Sequence, residues 1–147
     1  MKKLILLFLA FLFNIGLSAQ DLPDPPCDAK FFDSVQNSIG TDATYIQGMG
    51  GTTIKGRLSG GSFPLTLNKG VLYRFTIGNS ELSEVDVIVS LYYEFDKKLI
   101  KQQKVAPGMI ANFEYNCDLT GRYNIRPTYN KKGKNCHAII LSMVKTE

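Results

Sequence analysis

Beyond residue 63 the chain alternates apolar and polar positions with a period of two. From Val85 to Phe95 the odd positions are Val85, Val87, Val89, Leu91, Tyr93 and Phe95, with Asp86, Ile88, Ser90, Tyr92 and Glu94 between them. Such a row predicts a strand with one buried face. The same odd phase carries Leu65, Leu67, Val71, Tyr73, Phe75 and Ile77 before it, and Ala111, Phe113, Tyr115 and Cys117 after it. Turn signals such as Asn68-Lys69-Gly70, Asp96-Lys97-Lys98 and Pro107-Gly108 cut the pattern into strands at 63–67, 71–77, 85–95, 99–105, 109–117, 122–127 and 136–144. Short strands with no helical pattern between them predict an all-β fold, an antiparallel β-sandwich with one core.

Ahead of the strands the pattern changes. Asp28 is placed to cap a short helix that Gly40 ends, with Phe32, Val35 and Ile39 at helical spacing and Phe31 beside them. A helix this short is marginal alone, so it must dock on the sandwich. The inward row of strand 85–95 leaves Ile88 and Tyr92 side by side on the opposite face, and the expectation is that helix 29–39 covers them. From 41 to 62 six glycines punctuate the chain with threonines between, which reads as a long loop with one or two short strands, such as 52–58. Gly51 and Gly56 have the spacing of a phosphate loop, but Arg57-Leu58 stands where Lys-Ser/Thr is needed.

The first twenty residues do not belong to this pattern. Lys2 and Lys3 precede an apolar run from Leu4 to Phe13, and Gly16, Ser18 and Ala19 follow, as in an export signal cleaved after Ala19. The organisation expected is a signal peptide at 1–19, a proline-rich lead-in at 20–27, a helix and Gly/Thr-rich loop at 28–62, and the sandwich at 63–147, forming one domain with 28–62. The exported chain is expected to be secreted or periplasmic, with no membrane span once the signal is removed. Formal charge is +4 and falls to +2 without Lys2 and Lys3, which gives no support for a nucleic-acid partner. The lysine clusters at 97–104 and 131–134 read as solvated loops or a charged edge strand.

Leu67-x-x-Gly70-x-x-Tyr73-x-Phe75, Val89-x-Leu91-Tyr92 before the Asp96-Lys97-Lys98 turn, Ala111-x-Phe113 and Thr120-Gly121-x-Tyr123-x-Ile125 resemble the bacterial pre-peptidase C-terminal domain. The resemblance covers about residues 63–144 and implies a small jelly-roll-like sandwich that accompanies exported enzymes. No enzyme domain stands beside it here, and the cysteines and the Cys136-His137-Ala138 ending depart from the pattern.

Candidate chemistry is sparse. Export permits disulfides, and of three cysteines Cys117 ends one strand while Cys136 begins another, so Cys117–Cys136 is the expected bridge, with Cys27 free or intermolecular. The alternative is Cys27 tying down the helix. His137 is the sole histidine and lacks a metal or nucleophile spacing around it. No metal site and no cofactor are expected; calcium would be the ion to consider, at loop 79–86, but no Asp-x-Asp-x-Asp-Gly motif supports it. The reading is a non-catalytic binding or accessory module for a protein, peptide or glycan. Tyr45, Ile88, Tyr92 and Tyr129 are its candidate contacts. The alternatives are a structural part of an envelope or secretion assembly, or a small secreted hydrolase.

Overall fold

The computed structural model describes residues 27–53 and 60–146. The expected export signal, the lead-in before Cys27 and most of the strand expected at 52–58 lie outside these residues. One helix, α1 (Ala29–Asn37), precedes eight strands: β1 (Ala43–Thr53), β2 (Phe63–Leu67), β3 (Leu72–Asn79), β4 (Val87–Tyr93), β5 (Leu99–Val105), β6 (Ile110–Asn116), β7 (Gly121–Tyr129) and β8 (Asn135–Val144). They form two four-stranded sheets, ordered β1-β8-β3-β6 and β2-β7-β4-β5, with every pairing antiparallel. The first partners the last, the second the seventh, the third the sixth and the fourth the fifth. This is a jelly roll, a long hairpin folded over on itself.

The odd phase forms the core. Leu65, Leu67, Tyr73, Phe75, Ile77, Val87, Val89, Leu91, Phe113, Tyr123, Ile125, Ile139 and Leu141 are buried between the sheets. Phe95 departs from the expectation and is 89% exposed. The hairpin closes earlier than Asp96, through Tyr93 N–H to the Lys98 carbonyl at 3.0 Å, so Phe95 sits in the turn rather than on the strand. β1 is a second correction: the glycine-rich stretch read as loop is an edge strand paired along β8. β5, with Lys101 and Lys104, is an edge strand of the other sheet, as its charge suggests.

Those glycines are there because a helix lies on them. Gly50, Ala138 and Gly78 stand in register across β1, β8 and β3, a row without side-chain bulk. Val35 is fully buried over this row with Ala138 and Ile140, flanked by Phe31, Phe32 and Ile39. A Cβ at Gly50 would come within 2.8 Å of Phe32 Cζ, and one at Gly78 within 3.2 Å of Phe31 Cζ. Asp28 caps α1, its Oδ1 accepting from Lys30 N–H at 3.0 Å. The expected docking near Ile88 and Tyr92 is therefore wrong: α1 covers the outer face of the β1-β8-β3-β6 sheet, where the backbone lets it approach.

The disulfide joins Cys27 to Cys136, with Cα atoms 5.5 Å apart, and Cys117 is a buried free thiol. The expected Cys117–Cys136 bridge is overturned by topology. β6 and β8 both run antiparallel to β3, so they run parallel to each other, and the end of one lies far from the start of the other. Cys117 N–H bonds to Val71 O, whereas Cys136 O accepts from Ser80 N–H. Nine residues of strand, about 30 Å, separate those levels, beyond any disulfide's reach.

Candidate functional site: an uncovered sheet face

The outer face of the β2-β7-β4-β5 sheet has no helix over it among the described residues. Its even positions make a lattice. Ser90 of β4 stands between Gln102 of β5 and Arg126 of β7; Tyr92 stands between Leu99 and Asn124, with Pro64 beyond; Ile88 stands between Lys104 and Thr128. With strands about 4.8 Å apart and same-face residues about 6.7 Å apart, the platform measures roughly 14 Å each way.

Polar side chains outnumber the apolar ones, Ile88, Leu99 and Pro64. Gln102 Nε2 donates to Ser90 Oγ at 2.9 Å, which leaves its carbonyl oxygen as an acceptor. Asn124 Oδ1 accepts from Ser62 Oγ at 3.2 Å, which leaves its NH₂ as a donor. Thr128 Oγ1 donates to Ile88 O at 3.3 Å. Tyr92 is half-buried, and the Arg126 guanidinium lies 5.6 Å from its ring centroid, within cation–π range. The charges at the margins are neutralised, Lys104 by Asp86 at 2.8 Å and Arg122 by Glu94 at 2.9 Å. Past Glu94 the face runs into a hollow of about 410 Å³ lined by Tyr93, Glu94, Phe95, Lys97 and Arg122. This arrangement offers one aromatic surface, with donors and acceptors around it.

No family model matches the chain, and no curated protein matches it. Among solved structures it is similar to a Clostridium thermocellum endo-1,4-beta-D-xylanase 10B comprising CBM22-1 and GH10 modules, complexed with xylohexaose. Identity is 16% and the TM-score 0.44, over 74% of this chain and 26% of that one. The chain spans about a quarter of that protein's length, and a likeness this distant carries no functional argument.

The other expected site residues are not brought together. Ile88 and Tyr92 share the open face. Tyr45 is half-exposed on β1, the edge of the opposite sheet. Tyr129 is only 5% exposed, because β7 continues past Pro127 and keeps its odd residues inward; it is not a surface contact. His137 is also inward, 1% exposed on β8. Its Nδ1–H donates to Asn135 Oδ1 at 2.8 Å, Tyr129 OH lies 3.3 Å from the same nitrogen, and Nε2 is buried without a partner. Burial holds its pKa down, to about 4, so it is neutral at pH 7. Among the described residues no carboxylate or free thiol is bonded to it, and Cys136 beside it is in the disulfide.

Asn79, at the loop considered for calcium, is 1% exposed and ties β3 inward, its Nδ2 donating to Val85 O and Val105 O at 2.9 and 3.0 Å. No cluster of three His, Cys, Asp or Glu exists among the described residues. A larger hollow, about 620 Å³, lies along the seam of β5 and β6, but its charged lining is already engaged: Arg74 binds Glu114, and Lys101 Nζ donates to Glu114 O at 2.8 Å.

Proposed function

We propose that the protein is a non-catalytic saccharide-binding module acting outside the cytoplasm, with the open face of the β2-β7-β4-β5 sheet as its binding surface. One observation carries this reading: a half-buried tyrosine, Tyr92, lies on a sheet face uncovered among the described residues, and the positions around it include Asn124, Gln102, Ser90 and Arg126 beside Leu99. A sugar presents one apolar ring face and a rim of hydroxyls that both donate and accept, which suits such a surface. A protein partner would favour a contiguous apolar centre, whereas here Ser90 separates Ile88 from Tyr92, and Asn124 separates Tyr92 and Leu99 from Pro64. Export is part of the proposal, supported by the Cys27–Cys136 bridge, which suits an oxidising compartment. No helix among the described residues is long and apolar enough to cross a membrane. The motif resemblance to pre-peptidase C-terminal domains belongs to the same proposal, since such a module works beside an exported enzyme.

The test is an oligosaccharide array probed with residues 20–147, followed by calorimetry on what binds. Tyr92→Ala should weaken binding by roughly tenfold or more, as for an aromatic anchor, and Tyr45→Ala should leave it unchanged. Binding that survives Tyr92→Ala, or no binding anywhere on the array, overturns the reading.

A further inference from the structure

Arg126 is the one charge on the platform without a counter-charge. It makes no ion pair and no side-chain hydrogen bond among the described residues; its contact is with the Tyr92 ring. Its neighbours on the face are all neutral: Ser90 across the strand gap with Gln102 beyond, Asn124 and Thr128 along β7, Ile88 and Tyr92 on the diagonals. The nearest carboxylates on this face, Asp86 and Glu94, are held by Lys104 and Arg122. Arg74 on the other outer face shows what this chain does with an arginine it uses internally. There Nε and Nη2 donate to Glu114 Oε1, Nη1 to Ile39 O and Asp42 Oδ1, and Nη2 to Asp42 Oδ2, so every N–H is occupied. Arg126 has all its donors free, and its guanidinium carbon lies 5.6 Å from the Tyr92 ring centroid.

We propose that Arg126 receives a carboxylate, so that the ligand is a uronic-acid saccharide rather than a neutral one. This inference rests on the saccharide-binding reading. The guanidinium fork matches a carboxylate through two parallel N–H···O bonds. Asn124 NH₂ and Gln102 Oε1 on either side address the hydroxyls of the same sugar, and Tyr92 lies under its ring. Because Arg126 is surface-exposed and carries no structural bond, it is free to act on the ligand alone.

The test uses residues 20–147 and a set of uronic-acid oligosaccharides built on glucuronate, galacturonate, mannuronate and guluronate. Each is paired with its methyl ester, and sulfated neutral chains are included. The acid form of at least one pair should bind about tenfold or more tighter than its ester, as expected for a charge-assisted hydrogen bond. Arg126→Gln should abolish that ratio, bringing acid and ester to the same affinity, while leaving the melting temperature in place, and Arg126→Lys should restore part of it. Equal binding of acid and ester overturns this inference and leaves the saccharide reading standing. Preference for sulfated chains alone overturns it, as does a preference that persists in Arg126→Gln. Failure to bind any sugar removes both.

Discussion

The two outer faces of the sandwich are built from the same kind of strand and end in opposite states. On the β1-β8-β3-β6 sheet the outward residues in one row are glycine and alanine, a helix fills the space above them, and a disulfide anchors the helix at its start. Arg74 anchors the other end, bonding the Ile39 carbonyl, Asp42 and Glu114 at once. On the β2-β7-β4-β5 sheet the outward residues are a tyrosine, amides, hydroxyls and an unpaired arginine set among Ile88, Leu99 and Pro64, with no helix seated on them among the described residues. The covered face lacks side chains so that backbone can approach; the open face keeps polar side chains, with the Arg126 donors uncommitted. The difference is one of satisfaction, not of strand geometry.

The largest expected effect comes from releasing the cover. The Cys27–Cys136 bridge closes 109 residues of sequence, and Cys27→Ser with Cys136→Ser should lower stability by about 4–5 kcal/mol on the chain-entropy account. Urea titration measures it. Dye binding should rise as the Gly50–Ala138–Gly78 row is uncovered, while saccharide affinity of the folded fraction stays put. A parallel loss of affinity would mean that the two faces are not independent.

Next comes acid. His137 lies on β8 between Cys136 and Ala138, turned inward towards Tyr129, and its folded pKa is depressed to about 4 by burial against about 6.5 unfolded. The unfolded chain therefore takes up the proton first. The contribution is complete above about pH 6.5 and is lost as pH falls towards 4, about 3 kcal/mol in all. Stability measured between pH 7 and 4 should show that slope, and His137→Gln should flatten it. An unchanged slope in the variant would assign the pH dependence to other groups.

The smallest pair is the sharpest. Arg74→Gln should cost about 2 kcal/mol, less than a fully buried network because Asp42 and Glu114 are half-exposed. Arg126→Gln should change stability by less than about 0.5 kcal/mol, as surface changes without partners do. Thermal melts of the two variants side by side decide it; equal losses would erase the distinction between a structural and an available arginine.

How far the sequence could be read follows from the same physics. The inward row was legible because a strand's period of two is local, and Val87, Val89 and Leu91 are buried as their spacing says. Tyr92 was legible as outward for the same reason. Arg126, Asn124 and Gln102 were not, since they join Tyr92 only once the register of β7 and β5 against β4 is set, and register is a property of three strands together. Gly50 lay in the stretch read as loop, and Gly78 just past the strand expected at 71–77. In a strand, though, a glycine also marks close backbone approach, and that signal pointed to the helix seat. The disulfide failed because strand ends were matched without knowing which strands run parallel.

The nested pairing of the roll also bears on how the chain reaches this state. Its innermost pair, β4 with β5, is joined by a turn of a few residues, while β1 and β8 are separated by most of the domain. Loop-closure entropy rises with the length enclosed, and contacts distant in sequence slow folding. Closure therefore runs outward from the hairpin at Asp96 and reaches the β1–β8 seam, and the helix above it, last. On that order the strand that carries Tyr92 is expected in place early, with the disulfide closing late on a structure already rolled.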